Sequence, residues 1–267
     1  MKTNSLPTVL AIGGSDPSGG AGIQADIKTI GANGCHALSV ITAITSQNLS
    51  EVRDIIHIPP SHLKSQIVTL FDEFDIDIVK IGMIGSVENL KVLIDIIDKY
   101  NLRVVVDPII RSSSGSSLIE KETLRLLKNE LFKRAFLVTP NISEAKTLSG
   151  IDIKNLDDMK KACKSLDAKN ILLKGSHLDS DEIVDLLYSE DRFYQYAHER
   201  IDIKNPRGTG CTLSSAIAAN LAHKNSLFDS IENGISYLLK TLQSGYRYNS
   251  KASLLNHSTL SDRSVYV

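Results

Sequence analysis

The chain has 267 residues, 42% of them apolar and 23% charged, with a formal net charge of -1. This length suits one large hydrophobic core, so a single domain over 1–267 is expected, and the balanced charge gives no electrostatic reason for a nucleic-acid or anionic-membrane partner. Cys35, Cys163 and Cys211 form no C-x-x-C pair, no apolar run nears the ~18 residues a bilayer needs, and no apolar leader opens the chain, so a reducing cytoplasmic setting is expected.

In chain order, an apolar run at 9–12 predicts the first strand, which opens through Gly13-Gly14-Ser15-Asp16-Pro17-Ser18-Gly19-Gly20 into a helix over 21–33. Glycines in such a loop let backbone approach a ligand closely, and a helix start offers free N–H groups. The loop is not a Walker A sequence, since no Gly-Lys-Ser/Thr follows, and it lacks G-x-G-x-x-G. Its glycines alone fit a tight structural turn better than a ligand site. A strand at 37–42, a helix at 60–74, a strand at 78–81 and a helix at 87–100 follow.

The strand at 103–106 ends in Asp107-Pro108, a helix is expected over 121–131, and the strand at 136–138 runs into Thr139-Pro140-Asn141-Ile142-Ser143-Glu144. There Asn141 reads as an N-cap with Glu144 three positions on, a capping-box pattern. The same two side chains also suit a sheet edge that holds magnesium through water. A helix at 156–166 precedes a strand at 171–174 that ends in Lys174-Gly175-Ser176-His177. Asp107 and Lys174 at strand ends suit a metal-associated carboxylate and a phosphate-neutralising ammonium, or an ordinary surface ion pair.

Runs at 183–189 and 192–198 flank the turn-prone Ser189-Glu190-Asp191 and predict an antiparallel hairpin that extends one end of the sheet. Gly208-Thr209-Gly210 then delivers Cys211 to the start of a helix over 212–223. Successive N–H groups in such a turn form an anion-binding concavity, which suits phosphoryl transfer. A cysteine there is expected to have a lowered pKa, although a free cysteine is more often a small buried apolar residue. Apolar strands alternating with helices give an α/β class: a mostly parallel central sheet with helices on both faces, in three layers. The tail, 249–267, is expected to be partly flexible.

Gly14-Ser15-Asp16-Pro17-Ser18-Gly19-Gly20-Ala21-Gly22-Ile23-Gln24-Ala25-Asp26, Val40-Ile41-Thr42-Ala43 with Gln47-Asn48, and Lys80-Ile81-Gly82-Met83 occur in order with the Gly-Thr-Gly-Cys turn. Together they resemble the ribokinase-like superfamily, most closely its hydroxymethylpyrimidine/phosphomethylpyrimidine kinase branch, over about 9–221. The resemblance implies a ribokinase-like fold, a homodimer, and use of ATP and Mg2+. The implied reaction converts 4-amino-5-hydroxymethyl-2-methylpyrimidine to its monophosphate and then to the diphosphate, in thiamine biosynthesis.

The resemblance also implies roles. Gln47 hydrogen-bonds the pyrimidine, with Gly14, Asp16, Met83 and Ile109 as further substrate-pocket wall. Cys211, Gly210, Gly208 and Lys174 serve catalysis; Asn141, Lys174, Thr209 and Gly208 engage nucleotide phosphates; Asp107 and Glu144 hold magnesium, directly or through water. Most sugar kinases of the superfamily carry an aspartate base where this chain has Cys211. Three departures stand out: Pro206-Arg207 where relatives usually have Thr-His, Ser176 where they usually have Gly, and a dissimilar tail. The rivals are a pyridoxal kinase of the same branch, disfavoured by Gln47, and a catalytically silent pyrimidine-binding sensor, disfavoured by the retained charged residues.

Overall fold

The computed structural model describes residues 6–110, 120–175, 182–247 and 252–260; Ser176, His177 and tail positions 249–251 and 261–267 lie outside the described residues. The first half runs β1 (Thr8–Ser15), α1 (Gly22–Ala32), β2 (His36–Gln47), β3 (Val52–His57), α2 (Pro60–Phe71), β4 (Ile78–Ile81), α3 (Val87–Tyr100) and β5 (Val104–Val106). Next come α4 (Lys121–Leu126), continued by a π turn (Leu127–Leu131) into α5 (Phe132–Arg134), then β6 (Leu137–Val138), α6 (Ile142–Ser149), α7 (Leu156–Lys164) and β7 (Asn170–Leu173). The remainder is β8 (Glu182–Ser189), β9 (Arg192–Glu199), β10 (Pro206–Arg207), α8 (Thr209–Ala222), α9 (Leu227–Gln243), β11 (Tyr246–Arg247) and β12 (Ser253–Leu254).

Nine strands form one sheet in the order β3-β2-β1-β4-β5-β6-β7-β8-β9. Strands β2 to β7 are parallel, and β3, β8 and β9 are antiparallel. Along β1, Leu10 and Ile12 enter one core while Val9 and Ala11 enter another. Because both faces are covered, the strand reads as a continuous apolar run instead of an alternating one. The first core packs the sheet against α2, α3, α6 and α7; the second packs it against α1, α8 and α9. Each fully buried Leu or Ile contributes about 1.5–3 kcal/mol relative to an exposed one, so two continuous cores hold the strand ends firmly. This is the expected three-layer α/β/α, ribokinase-like arrangement, hairpin included: Glu190 and Asp191 take φ of 51° and 58° in the two-residue turn between β8 and β9.

Three features differ from the sequence reading. Strand β3 pairs antiparallel with β2 and adds a second antiparallel edge. Helix α9 is the longest of the described helices at 17 residues, yet no helix was expected there. Part of the supposed flexible tail is docked: Ala252, Ser253, Leu254, Leu255 and His257 are buried, and β12 joins β10 and β11 in a small second sheet. Apolar Leu254 and Leu255 explain the docking, since burying them against the body outweighs the freedom lost. No helix among the described residues is long and apolar enough to cross a membrane.

From β1 the chain moves to β2 on one side, and later to β4 on the other. This reversal opens a crevice at the carboxyl ends of the strands, where ligands bind in open parallel sheets.

Candidate active site

Two glycine turns meet over that crevice. Gly208, at φ +78°, precedes α8, and any side chain on it would run into the Gly20 carbonyl of the loop after β1. Gly22, at φ +58°, lets the start of α1 fold against the Gly14 carbonyl, and its N–H donates to the Cys211 sulfur. The loop after β1 and the turn before α8 are therefore in backbone contact across one site. Asp16 organises the first of them: Oδ1 accepts from Ser18 N at 2.9 Å and Ser18 Oγ at 2.7 Å, and Oδ2 accepts from Ala21 N at 2.9 Å. Gln24 locks the same loop, accepting from Asp16 N and donating to Ser15 Oγ, each at 2.8 Å.

The cleft between these turns has a volume of about 880 Å3, and every site residue singled out in the sequence lines it. One wall carries Gly14, Asp16, Gln47 and Met83, with Ile109 beside Gly82. Gln47 ends β2, where its Oε1 accepts from Thr45 Oγ1 at 3.3 Å. The other wall carries Asp107 and Lys174, each just past the end of its strand, with Asn141 and Glu144 from the cap and first turn of α6. Gly208, Thr209, Gly210 and Cys211 form the floor between the walls, where the first N–H groups of α8 lack intrahelical partners.

On the second wall, Lys174 Nζ lies 3.0 Å from Asp107 Oδ1, with both side chains buried. Gly210 packs closely beside that pair: an added Cβ would lie 3.2 Å from Lys174 Nζ and 3.3 Å from Asp107 Oδ2, so a larger residue would press on both. Burial lowers the Lys174 pKa, but the charges of Asp107 and Glu144 and the hydrogen bond to Asp107 outweigh it, so the shift is upward. Asn141 and Glu144 close a capping box on α6, with Glu144 N donating to Asn141 Oδ1 at 2.9 Å and Asn141 N to Glu144 Oε2 at 2.8 Å. Both readings of this pair coexist, because the box leaves Glu144 Oε1 and the Asn141 amide N–H groups uncommitted. Burial pushes Glu144 up to about 7, against the pull of Lys174 and aided by Asp107. Two carboxyl groups beside one ammonium form an oxygen donor set that fits a divalent cation. Among the described residues no group of three or more His, Cys, Asp and Glu side chains is set to hold a metal; magnesium on a nucleotide is held by one or two carboxylates, the phosphates and water.

Cys211 requires a correction. It was expected to be acidified by the helix start, but burial pushes its thiol up to about 12, and Lys80 only partly offsets this. At neutral pH it is a thiol, not a thiolate.

The sequence reading gave two residues of the site no role and left a third, Arg207, open between a phosphate contact and a solvent-facing position. Lys80 and Asp26 both line the cleft and form a fully buried ion pair at 2.8 Å, and Ser215 Oγ of α8 donates to the same Asp26 oxygen at 2.8 Å. The available signal was a lysine inside the apolar run Ile78-Val79-Lys80-Ile81, since a charge there demands a buried partner. The third is Arg207, whose Nη2 donates across the mouth of the cleft to the Leu49 carbonyl oxygen at 2.5 Å.

A family model described as phosphomethylpyrimidine kinase matches residues 16–256. The chain is 39% identical to the hydroxymethylpyrimidine/phosphomethylpyrimidine kinase of Aquifex aeolicus, over 88% of this chain and 93% of that one. It is 40% identical to a thiamine biosynthesis bifunctional protein of Geobacter sulfurreducens, over 88% of this chain but only 49% of that protein, so it spans about half of that relative. Among solved structures it resembles the pyridoxal kinase of Staphylococcus aureus in complex with AMP-PCP and pyridoxal, with a TM-score of 0.87, 28% identity, and coverage of 96% of this chain and 95% of the other. The match across 16–256 takes in both glycine turns and the charged wall between them, and the chain belongs to the phosphomethylpyrimidine kinase family.

Proposed function

We propose that the chain phosphorylates 4-amino-5-hydroxymethyl-2-methylpyrimidine with ATP and Mg2+, and then phosphorylates the monophosphate to the diphosphate, as a step of thiamine biosynthesis. The observation that carries this reading is the meeting of the Gly14 loop and the Cys211 turn over one cleft, with an amide on one wall and the Lys174–Asp107 pair on the other. Gln47, with both a donor and an acceptor, reads the edge of a flat heteroaromatic ring, and Gly14, Met83 and Ile109 cover its faces. Asp16 contributes by shaping the loop, since the loop's own donors take both of its oxygens.

Lys174, Asn141 and the N–H groups of Gly208, Thr209 and Gly210 neutralise the phosphates. Asp107 and Glu144 would hold the magnesium, which spreads the charge that develops on the transferring group. Cys211, as a thiol, orients the acceptor hydroxyl instead of removing its proton; in a loose transition state the alcohol oxygen bonds to the terminal phosphorus as the bond to ADP breaks, and the hydroxyl proton passes late to an oxygen of the transferred phosphate. The cytoplasmic setting, the homodimer and the single-domain reading belong to the same proposal.

The second reading is a pyridoxal kinase, because pyridoxal also carries a hydroxymethyl group and the fold matches the S. aureus enzyme closely. Identity of 39% to the pyrimidine kinase against 28% to the pyridoxal kinase supports the pyrimidine. A silent sensor has no use for a buried Lys174–Asp107 pair. Steady-state kinetics with ATP and Mg2+ separate the two alcohols: at least tenfold higher kcat/KM on the pyrimidine is expected, with diphosphate as the final product. A preference for pyridoxal with no diphosphate formed would overturn the assignment.

A further inference from the structure

We propose that Arg207 binds the phosphate of the monophosphorylated acceptor and thereby selects for the second phosphorylation; this rests on the pyrimidine-kinase reading above. Three cations line the cleft: Lys80, Lys174 and Arg207. Lys80 is committed to Asp26 at 2.8 Å and Lys174 to Asp107 at 3.0 Å, both as buried ion pairs. Arg207 is different. Its hydrogen bond goes to a neutral carbonyl, that of Leu49, and among the described residues no carboxylate forms an ion pair with it. Among the described residues it is thus the cleft cation without a carboxylate partner. A guanidinium has five N–H donors, so one bond to Leu49 leaves a fork suited to two phosphate oxygens.

Its position decides which anion it meets. Arg207 is fixed by the pairing of β10 with β12, opposite Leu254. A Cβ on Gly20 would lie 3.3 Å from Arg207 Cβ, so the residue stands with the loop after β1 and reaches toward the Gln47–Leu49 side. Lys174 lies on the far side, beside Gly210. The acceptor therefore has Arg207 on its flank, and the nucleotide has Lys174.

The two steps differ in charge. The first brings a neutral alcohol to the terminal phosphate of the nucleotide. The second brings a phosphomonoester whose second pKa is about 6, so an anion must approach an anion. One of its oxygens forms a bond to the terminal phosphorus while the bond from that phosphorus to the bridging oxygen breaks, and ADP leaves with that electron pair. No proton has to move, because the attacking oxygen is already ionised. What this step needs from the protein is an extra positive charge on the acceptor side, and Arg207 supplies it.

The test uses the full chain, with ATP and Mg2+, and measures kcat/KM for the hydroxymethylpyrimidine and for its monophosphate. Arg207→Gln keeps an N–H donor for the Leu49 carbonyl and removes the charge; Arg207→Lys keeps the charge. In Arg207→Gln the ratio of monophosphate to alcohol kcat/KM is expected to fall by about thirtyfold, and Arg207→Lys should recover much of that loss. An unchanged ratio in Arg207→Gln, with both rates held or both reduced together, would make Arg207 a clasp at the cleft mouth and overturn the proposal. Turnover of neither compound by the unsubstituted chain would instead refute the kinase reading, a distinct outcome seen before any substitution is made.

Discussion

Cys211 shows how burial can reverse what a local motif suggests. A helix start and a neighbouring lysine both favour a thiolate, but the sulfur is enclosed and its thiol is pushed up to about 12. If the thiol acts by orienting the hydroxyl, log kcat/KM for the alcohol should stay flat between pH 7 and 9. Cys211→Ala should lower kcat by about 100-fold with little change in KM, and Cys211→Ser should retain more activity than Cys211→Ala. A thiolate ultraviolet absorbance at pH 7 that Cys211→Ala removes would restore the thiolate base. Cys211, Lys174, Asp107 and Glu144 were legible because each stands near a strand end or turn beside glycine, proline or an apolar run, whereas Gln47 was singled out only by the family resemblance. The sequence did not reveal what Lys80 and Asp26 do, since their pairing spans 54 positions of sequence. The protonation of Cys211 depends on packing around it that no local motif encodes.

At the scale of elements, the segment after α9 supports the anion-binding turn from behind. His257 is buried with Nε2 2.9 Å from Thr212 Oγ1, one residue past Cys211, and its carbonyl accepts from the Tyr237 hydroxyl at 3.2 Å. Burial, with Lys28 nearby, lowers the His257 pKa from 6.5 to about 4. The unfolded chain takes up a proton at pH 6.5 that the folded chain refuses until about 4, so the stability from neutral His257 is complete above 6.5 and drains away toward 4. The loss amounts to about 3 kcal/mol. Denaturant titrations at pH 7.5 and 4.5 should therefore show the unsubstituted chain losing about that much relative to His257→Gln; parallel losses in the two proteins would mean that the segment is not docked through His257. Two elements were not read from the sequence. Strand β3, Val-Arg-Asp-Ile-Ile-His, is an edge strand with mostly exposed side chains and so lacks an apolar run. Helix α9 buries Ser230, Gly234 and Thr241 among its apolar residues, because α8 packs so close that a Cβ on Gly234 would lie 2.7 Å from Ile217 Cγ1. The helical period is nonetheless present in Leu227, Ile231, Ile235, Leu238 and Leu242, so this helix was legible in the sequence and was overlooked.

For the whole molecule, the parallel sheet brings residues from β1, β2, β4, β5, β6, β7 and α8 to one crevice, although they are spread from Gly13 to Cys211. The order of strands and helices was legible because strands covered on both faces must be apolar throughout. That the Gly14 loop and the Cys211 turn face one cleft was expected and holds; the backbone contact of Gly208 with Gly20 was not foreseen, since it depends on α1 and α8 lying side by side over the sheet. That contact is the centre of the account. On the proposed reading, an acceptor would lie beside Gly14 and Gln47 and a transferable phosphate at the Gly208–Cys211 turn. A crystal structure of the chain with the hydroxymethylpyrimidine and AMP-PCP tests this most directly: the acceptor oxygen should lie about 3–3.5 Å from the terminal phosphorus, with that phosphate on the turn N–H groups. An alcohol bound outside the cleft, or a triphosphate directed away from the Cys211 turn, would contradict it.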